Sequence, residues 1–478
     1  MRPTEEQERA VELFLTGESL RINAFAGAGK TSTLLLIAAA TTRRGAYFAF
    51  NRSIAVEAGR KFPAHVVPYT LHGYALRCVR ARFPGGSEKL FGELNPNRIA
   101  ELLNLQPMRP SRDCYLTPRM VAAVVKGTVQ RFCQSDSVRP AREHVPHWGS
   151  TAAIPWWRFR GYASTVAALA ERLWERMIDP RESVPLGHDG YLKLWALSNP
   201  MIPAEFILLD EAQDSNGVVI GLLSRQPAQV VLVGDRYQQI YEWRGAVNAM
   251  DRMKTTHHAD LTQSFRFGPA IADAASRVLR VLGERKRIRG NDVYASVLHC
   301  ETPDAVLCRT NATVLTRTME ALAGGRRVAI GGGGEDLLRL LDDVDRLQEG
   351  RRSSRPAFFG YRRWSEVVKA ADSEEGADLR GTVKLVEKHG VEALRCCLHA
   401  LATEETRADL VLTTVHKAKG REWARVAIAD DFSPFRRGGH GLETVIREDV
   451  RLVYVAITRA REAVEIPARL RRKFGIAR

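Results

Sequence analysis

The chain has 478 residues, 45% hydrophobic and 26% charged, with a formal net charge of +16. That suits a globular protein of two or more packed domains, and the positive balance favours a polyanionic partner. No apolar run reaches the roughly 18 residues of a membrane helix. The start MRPTEEQERAVELF is acidic and amphipathic, unlike a signal peptide, so a cytoplasmic or nuclear location without a membrane partner is expected. Cys78, Cys114, Cys133, Cys300, Cys308, Cys396 and Cys397 form an odd set with no Cys-x-x-Cys spacing, which argues against a disulfide frame, a zinc site or an iron–sulfur cluster.

In chain order, SLRINAFAGAGKTSTLLLIAAATT reads as a strand, a Gly-rich turn and a helix starting near Lys30. GAYFAFNRS, HVVPYTLHGYAL, FILLDE and VVLVGD are further short apolar strands, and strands alternating with helices predict a parallel sheet covered on both faces. Between residues 85 and 195 Arg, Pro and Trp become frequent and helical periodicity returns, which reads as a helical insertion dividing the first unit into 1–84 and 196–252. Within it, Trp156, Trp157, Arg158 and Arg160 would suit a duplex-binding patch, but a Trp pair anchoring the insertion's core is the preferred reading. A second α/β unit is expected over 253–334 and 409–478, with DAVLCRTNATV, RRVAIGGGG, DLVLTTVHKAKG and WARVAIADD as its strands. A reduced helical insertion is expected at 335–408. The Gly331–Gly334 run is read as a turn.

The chemistry concentrates at strand ends. AFAGAGKTS would place the backbone N–H groups of Ala26, Gly27, Ala28 and Gly29 and a helix N-terminus around a nucleotide's phosphates, with Lys30 on the terminal phosphates and Thr31 on Mg²⁺. Ala24 stands where the strict pattern has its first Gly. Asp210 and Glu211 end the buried run FILL, where ligands collect in open α/β sheets. Alone they would read as an acidic helix start. With a phosphate loop upstream, Asp210 is assigned to the metal and Glu211 to the attacking water. After VVLVGD come Gln238 and an aromatic–arginine cluster, Tyr241, Trp243 and Arg244, on which bases can stack.

Taken together, AFNRSIAVEAGRKFP, TLHGYAL, LLDEAQD, VGDRYQQIYEWRGAVNAM, TVHKAKGREW and RLVYVAITRARE resemble the superfamily 1A helicases of the UvrD/Rep type, most of all their F-box DNA helicase branch. The resemblance runs from TEEQ to the ITRA segment. It implies two RecA-like P-loop NTPase motor domains, each with a helical insertion, using ATP and Mg²⁺ to move 3′ to 5′ on single-stranded DNA and to unwind tailed duplex DNA. Gln7 is implied to read the adenine edge and Phe265 to stack on the adenine. Glu422 is implied to contact the ribose and Gln238 to sense the γ-phosphate, with Arg266 and Arg459 as arginine fingers. Ser32 replaces an Arg common in relatives. Asn51, Thr70, His72, Thr414 and His416 match positions along the single-strand groove. No F-box precedes Met1 and no nuclease domain follows the last motif, so ubiquitin-ligase partnership is not carried over. A monomeric motor in repair, recombination or replication is expected, with recombinase or replication proteins as possible partners. Two other readings stand beside it. One is a translocase that strips proteins from DNA and unwinds poorly; the other is a passive nucleic-acid binder with a degenerate nucleotide site. RNA is not excluded by any residue.

Overall fold

Of the five strands expected in the first unit, the three central runs GAYFA, FILL and QVVLVG are buried throughout, as strands covered on both faces must be, while LRINA alternates and VVPYT is largely uncovered. The computed structural model describes the chain except residues 1, 85, 112–113, 149–150, 152–153, 155, 241–246, 354, 373–378, 438–442 and 478. Numbered in chain order, the first strands are β1 (Leu20–Ala24), β2 (Gly45–Ala49) and β3 (Val66–Thr70). A hairpin of β4 (Met108–Ser111) and β5 (Cys114–Leu116) follows, then β6 (Phe206–Leu209), β7 (Gln229–Gly234) and β8 (His257–Leu261). Strands β1–β3 and β6–β8 form a parallel sheet in the order β3-β2-β6-β7-β1-β8. The later strands are β9 (Ala305–Cys308), β10 (Val328–Ile330), β11 (Leu410–Thr414), β12 (Trp423–Ile428), the hairpin β13 (Phe435–Arg437) with β14 (Glu443–Val445), and β15 (Ala460–Glu465). They build a second parallel sheet in the order β10-β11-β9-β12-β15. This is the mixed α/β, two-motor fold expected.

One boundary is corrected. Strand β8 pairs in parallel with β1 from Leu20↔His257 to Ala24↔Leu261, so the first motor sheet extends past residue 252 and the second unit cannot begin at 253. The segment HHADL has only two buried residues, Ala259 and Leu261. Such an edge strand carries too weak an apolar signal to be read from sequence.

The first insertion is helical as expected, apart from its hairpin. Helices Pro118–Gln134 and Trp156–Ile178 pack together, with Phe132 edge-on to Trp174 at 5.3 Å between centroids. Trp157 is 63% exposed and so is not the core anchor expected of it, while the side chain of Trp156 lies outside the described residues. The core is held instead by Trp174 and Trp195 and by a buried lysine. Lys193 Nζ donates to the carbonyls of Ser135 (2.8 Å) and Ser137 (2.6 Å), just past the end of helix Pro118–Gln134, and lies 4.4 Å from the Phe132 ring centroid. Burial lowers its pKa to about 8. Lys193→Ala would orphan two carbonyls and open a cavity, and an expected loss of about 2–4 kcal/mol should appear as a lower denaturant midpoint. A loss below about 0.5 kcal/mol, the ordinary range for an inert surface change, would refute this capping role.

The second insertion comprises helices Glu335–Gln348, Trp364–Ala371, Arg380–His389 and Val391–His399, packed around Leu337, Leu341, Val344 and Leu394. Its connecting segment reaches back to the first: Phe359 is fully buried against the first insertion's core, edge-on to Trp148, and Arg352 donates to the Tyr115 carbonyl at 3.1 Å.

Candidate nucleotide site

After β1 the chain turns through Phe25–Gly29 into helix Lys30–Ala39. Gly27 (φ +73°) and Gly29 (φ +75°) lie in the left-handed region, where a side chain is strained. Space also requires glycine at the first of them: a Cβ on Gly27 would come within 2.6 Å of Ser264 Oγ and 2.7 Å of Arg266 Cβ. Ala24, which departs from the usual phosphate-loop pattern, is simply the last extended residue of β1 and is fully buried. No left-handed turn is asked of it, so the departure leaves the loop intact.

Opposite this loop stands the carboxylate pair at the end of β6. Asp210 accepts from Tyr47 Oη (2.8 Å) and from the Glu211 N–H (2.8 Å), while Glu211 Oε1 lies 2.7 Å from Lys30 Nζ. Burial, reinforced by the neighbouring Glu211 charge, pushes Asp210 above the usual carboxylate range. Burial would raise Glu211 as well, but the Lys30 and Lys419 ammoniums outweigh it and hold Glu211 ionised and low. Glu211 adopts φ +50°, uncommon for a residue with a side chain, which aims its carboxylate back at the loop.

The second motor domain supplies the other wall. Arg459, 2% exposed, donates to the Val455 carbonyl (3.1 Å) and faces Gln238 Oε1 at 3.4 Å. Burial, together with repulsion from Arg266, lowers its pKa to about 9, so it remains charged at neutral pH. Arg266 pairs with Glu422 (2.6 Å) and donates to the Thr458 carbonyl (3.1 Å). A cleft of about 460 Å³ is lined by the loop residues Gly27–Ser32 and by Glu211, Gln238, Arg266, Lys419 and Arg459. The predicted catalytic residues Lys30, Glu211, Gln238, Arg266 and Arg459, some 430 positions apart at the extremes, are thus gathered in one cavity. Thr31 and Ser32 are exposed at the helix start and line the cleft. A glycine-shaped cradle, several cations and one carboxylate pair are a donor set that fits a triphosphate with a hydrated Mg²⁺.

Phe265 lies alongside the loop: its N–H donates to the Gly27 carbonyl (2.8 Å), and a Cβ on Gly29 would sit 3.3 Å from its ring and from Gln7 Nε2. Gln7 and Phe265 thus lie against the same glycine of the loop. In this state the Gln7 amide is engaged locally, accepting from the Thr4 N–H (3.1 Å) and donating to Thr33 Oγ1 (3.1 Å). Glu422, assigned to a ribose, is the partner of Arg266, so both must rearrange to meet a nucleotide.

The residues assigned to the polymer are less uniform. Asn51 lines the nucleotide cleft, and its side chain caps helix Arg52–Lys61 by accepting from the Ile54 N–H (3.0 Å). Thr70 likewise caps helix Leu71–Val79, and His72 Nε2 meets Asp189 Oδ1 at 3.2 Å. Thr414 and His416 stand at the carboxyl end of β11, on the second sheet. Tyr241, Trp243 and Arg244 lie outside the described residues. Sequence reading missed Lys419, whose ammonium bonds Asp214 and the Gln238 carbonyl (2.7 Å). It also missed Tyr454 and Asp235, which meet across the two domains. Their signals were present, as a Lys in TVHKAKG, a Tyr in RLVYVAITRARE and the Asp of VGDRYQQ. None stands at a spacing that announces a partner some 200 residues away.

Two parallel sheets facing one phosphate cleft, with arginines supplied across it, form the two-walled site of a P-loop NTPase. Residues 199–257 match the UvrD/REP helicase N-terminal domain and residues 391–468 the UvrD-like helicase C-terminal domain, so the chain carries both UvrD-like helicase domains. Over nearly all its length it is similar to F-box DNA helicases. It is 30% identical to F-box DNA helicase protein 1 of Schizosaccharomyces pombe, covering 96% of this chain and 56% of that one. It is 28% identical to F-box DNA helicase 1 of Gallus gallus, covering 99% and 50%. The chain therefore spans about half the length of these relatives. A shorter match, 34% identical over 89 residues, covers 17% of this chain and 12% of the ATP-dependent DNA helicase PcrA of Leuconostoc citreum.

Proposed function

We propose that this chain is an ATP-driven motor that moves 3′ to 5′ along single-stranded DNA and unwinds tailed duplexes. The observation that carries the reading is the division of one cleft between two motor domains. Lys30, Glu211 and Gln238 come from the first and Arg266 and Arg459 from the second. Hydrolysis then depends on closure, because charge developing on the phosphates meets its full complement of donors only when both walls are in place.

Each residue has a distinct task. Lys30 leaves Glu211 for the terminal phosphates, which frees the Glu211 carboxylate to orient the attacking water and take its proton. Arg266 exchanges Glu422 for phosphate oxygen, and Glu422 is released toward the ribose. Gln238 holds one amide hydrogen on Asp235 (2.8 Å), and its second remains for the γ-phosphate. Mg²⁺, held by Asp210 and Thr31, would neutralise charge on the bridging phosphate oxygens. The strand contacts assigned to Thr70, His72, Thr414 and His416 lie on the two different sheets, so closure changes their separation and lets alternating grip become a step.

The test is steady-state ATPase with and without single-stranded DNA, followed by unwinding of duplexes bearing only a 3′ or only a 5′ tail. Stimulation by the strand and unwinding of the 3′-tailed duplex are expected. An ATPase indifferent to DNA overturns the motor, while unwinding confined to 5′ tails overturns the direction. The average cost of separating a base-pair step, about 1.4 kcal/mol, is small enough for one hydrolysis per base to drive it.

A further inference from the structure

We infer that Tyr454 is a positioning residue for hydrolysis: its hydroxyl ties the arginine-finger segment of the second motor domain to the phosphate loop of the first. This rests on the motor reading above and assigns a task to a residue outside the catalytic set.

The tyrosine is fully buried in helix Arg447–Ile457, five residues before Arg459, which lies just past the helix end. Its hydroxyl donates to Asp235 Oδ2 at 2.6 Å and accepts from the Ala26 N–H, inside the phosphate loop, at 3.0 Å. Both partners belong to the first domain. At the other end of the residue, the Tyr454 carbonyl accepts from the Thr458 N–H (3.1 Å) and hydroxyl (3.0 Å). Thr458 precedes Arg459, and its own carbonyl accepts from Arg266. A short chain of hydrogen bonds thus runs from the phosphate loop through Tyr454 to both fingers.

Asp235 extends the chain to the γ-phosphate sensor. It accepts from the Gln238 amide (2.8 Å) on the same oxygen that Tyr454 uses, and its other oxygen accepts from the Tyr237 N–H (3.0 Å). The Gln238 amide is oriented by this contact, with its oxygen turned toward Arg459. Burial raises Asp235 above its ordinary range and Tyr454 well above its own, as expected for groups sealed from water between the two sheets. Phe25, Tyr237 and Ile240 from the first domain pack in the same core as Tyr454 and Val455 from the second. The seam is therefore a buried interdomain contact, with its polar pin at the point where loop, sensor and fingers converge. A displacement of about 1 Å at such a pin is enough to misplace a finger and cost up to roughly 100-fold in rate.

Tyr454→Phe keeps the ring and removes the pin. Tyr237→Phe is the control: it deletes the neighbouring interdomain hydrogen bond, from Tyr237 Oη to Glu284 (2.9 Å), without touching the loop or Asp235. With saturating single-stranded DNA, and with active protein counted by binding of a non-hydrolysable ATP analogue, Tyr454→Phe is expected to lower kcat about 10-fold or more while KM for ATP stays within about 3-fold. Tyr237→Phe should leave kcat within about 2-fold of the parent. Equal losses in the two variants would reduce Tyr454 to a structural seam residue. An unchanged kcat, or a rise in KM alone, would overturn the inference as well. Should Tyr454→Phe fail to fold, Asp235→Ala, which removes the acceptor, must show the same selective loss of kcat or the inference falls. Failure of the motor reading is separately visible, as absence of DNA-stimulated ATPase in the parent protein.

Discussion

Arg459→Ala is expected to lower DNA-stimulated kcat for ATP by about 10³-fold or more, in the range of an arginine finger supplied across an interface. The side chain is buried, held by the Val455 carbonyl and directed at Gln238, so its geometry is set before a nucleotide arrives and little reorganisation is needed during the reaction. Arg459→Lys keeps the charge but loses the planar fork, and should recover little of the rate. Thermal melting separates this effect from misfolding, because a buried guanidinium also contributes to packing. A folded Arg459→Ala protein within about 10-fold of the parent would show that the finger lies elsewhere, since removal of a true finger costs orders of magnitude more.

The second large effect is expected at Glu211. Glu211→Gln retains shape and should reduce kcat about 10²–10⁴-fold, the usual contribution of a general base. Affinity for a non-hydrolysable ATP analogue should stay level or tighten. Lys30 pairs with Glu211 at 2.7 Å, and removing the carboxylate charge releases the ammonium for phosphate. Equilibrium binding of the analogue beside single-turnover hydrolysis reads both quantities. Loss of binding with normal turnover would reverse the assignment and make Glu211 a ligand-binding group.

Much of this site was legible before the fold, for a physical reason. A phosphate loop is contiguous: Gly27 and Gly29 supply left-handed turns, Lys30 opens the helix, and a strand precedes them, all within a dozen residues. Asp210 and Glu211 follow a four-residue buried strand, so their place at the sheet's carboxyl edge could be read from the run FILL. The two parallel sheets followed from short apolar runs alternating with helices. Where local pattern was weak, reading failed. HHADL joins the first sheet because β1 offers it a free edge, and no periodicity within five residues, only two of them buried, could reveal that. Trp157 was expected in a core but is exposed; aromatic content alone does not tell which face of a helix is covered, and here Trp174 and Trp195 fill the space.

The amino-acid sequence by itself supplied a candidate inventory: a phosphate-loop pattern, a carboxylate pair after a buried strand and, through the family resemblance, the arginines assigned beside them. Tertiary structure alone decided how these groups restrain one another. Lys30 is paired with Glu211, Arg266 with Glu422, and Lys419 with Asp214 across 205 positions. Tyr454 and Asp235 meet across 219. Contacts at such separations depend on how two sheets dock, and docking is set by side-chain packing over the whole buried seam. A local spacing can announce a loop or a strand end, but it holds no record of which distant surface will close over it.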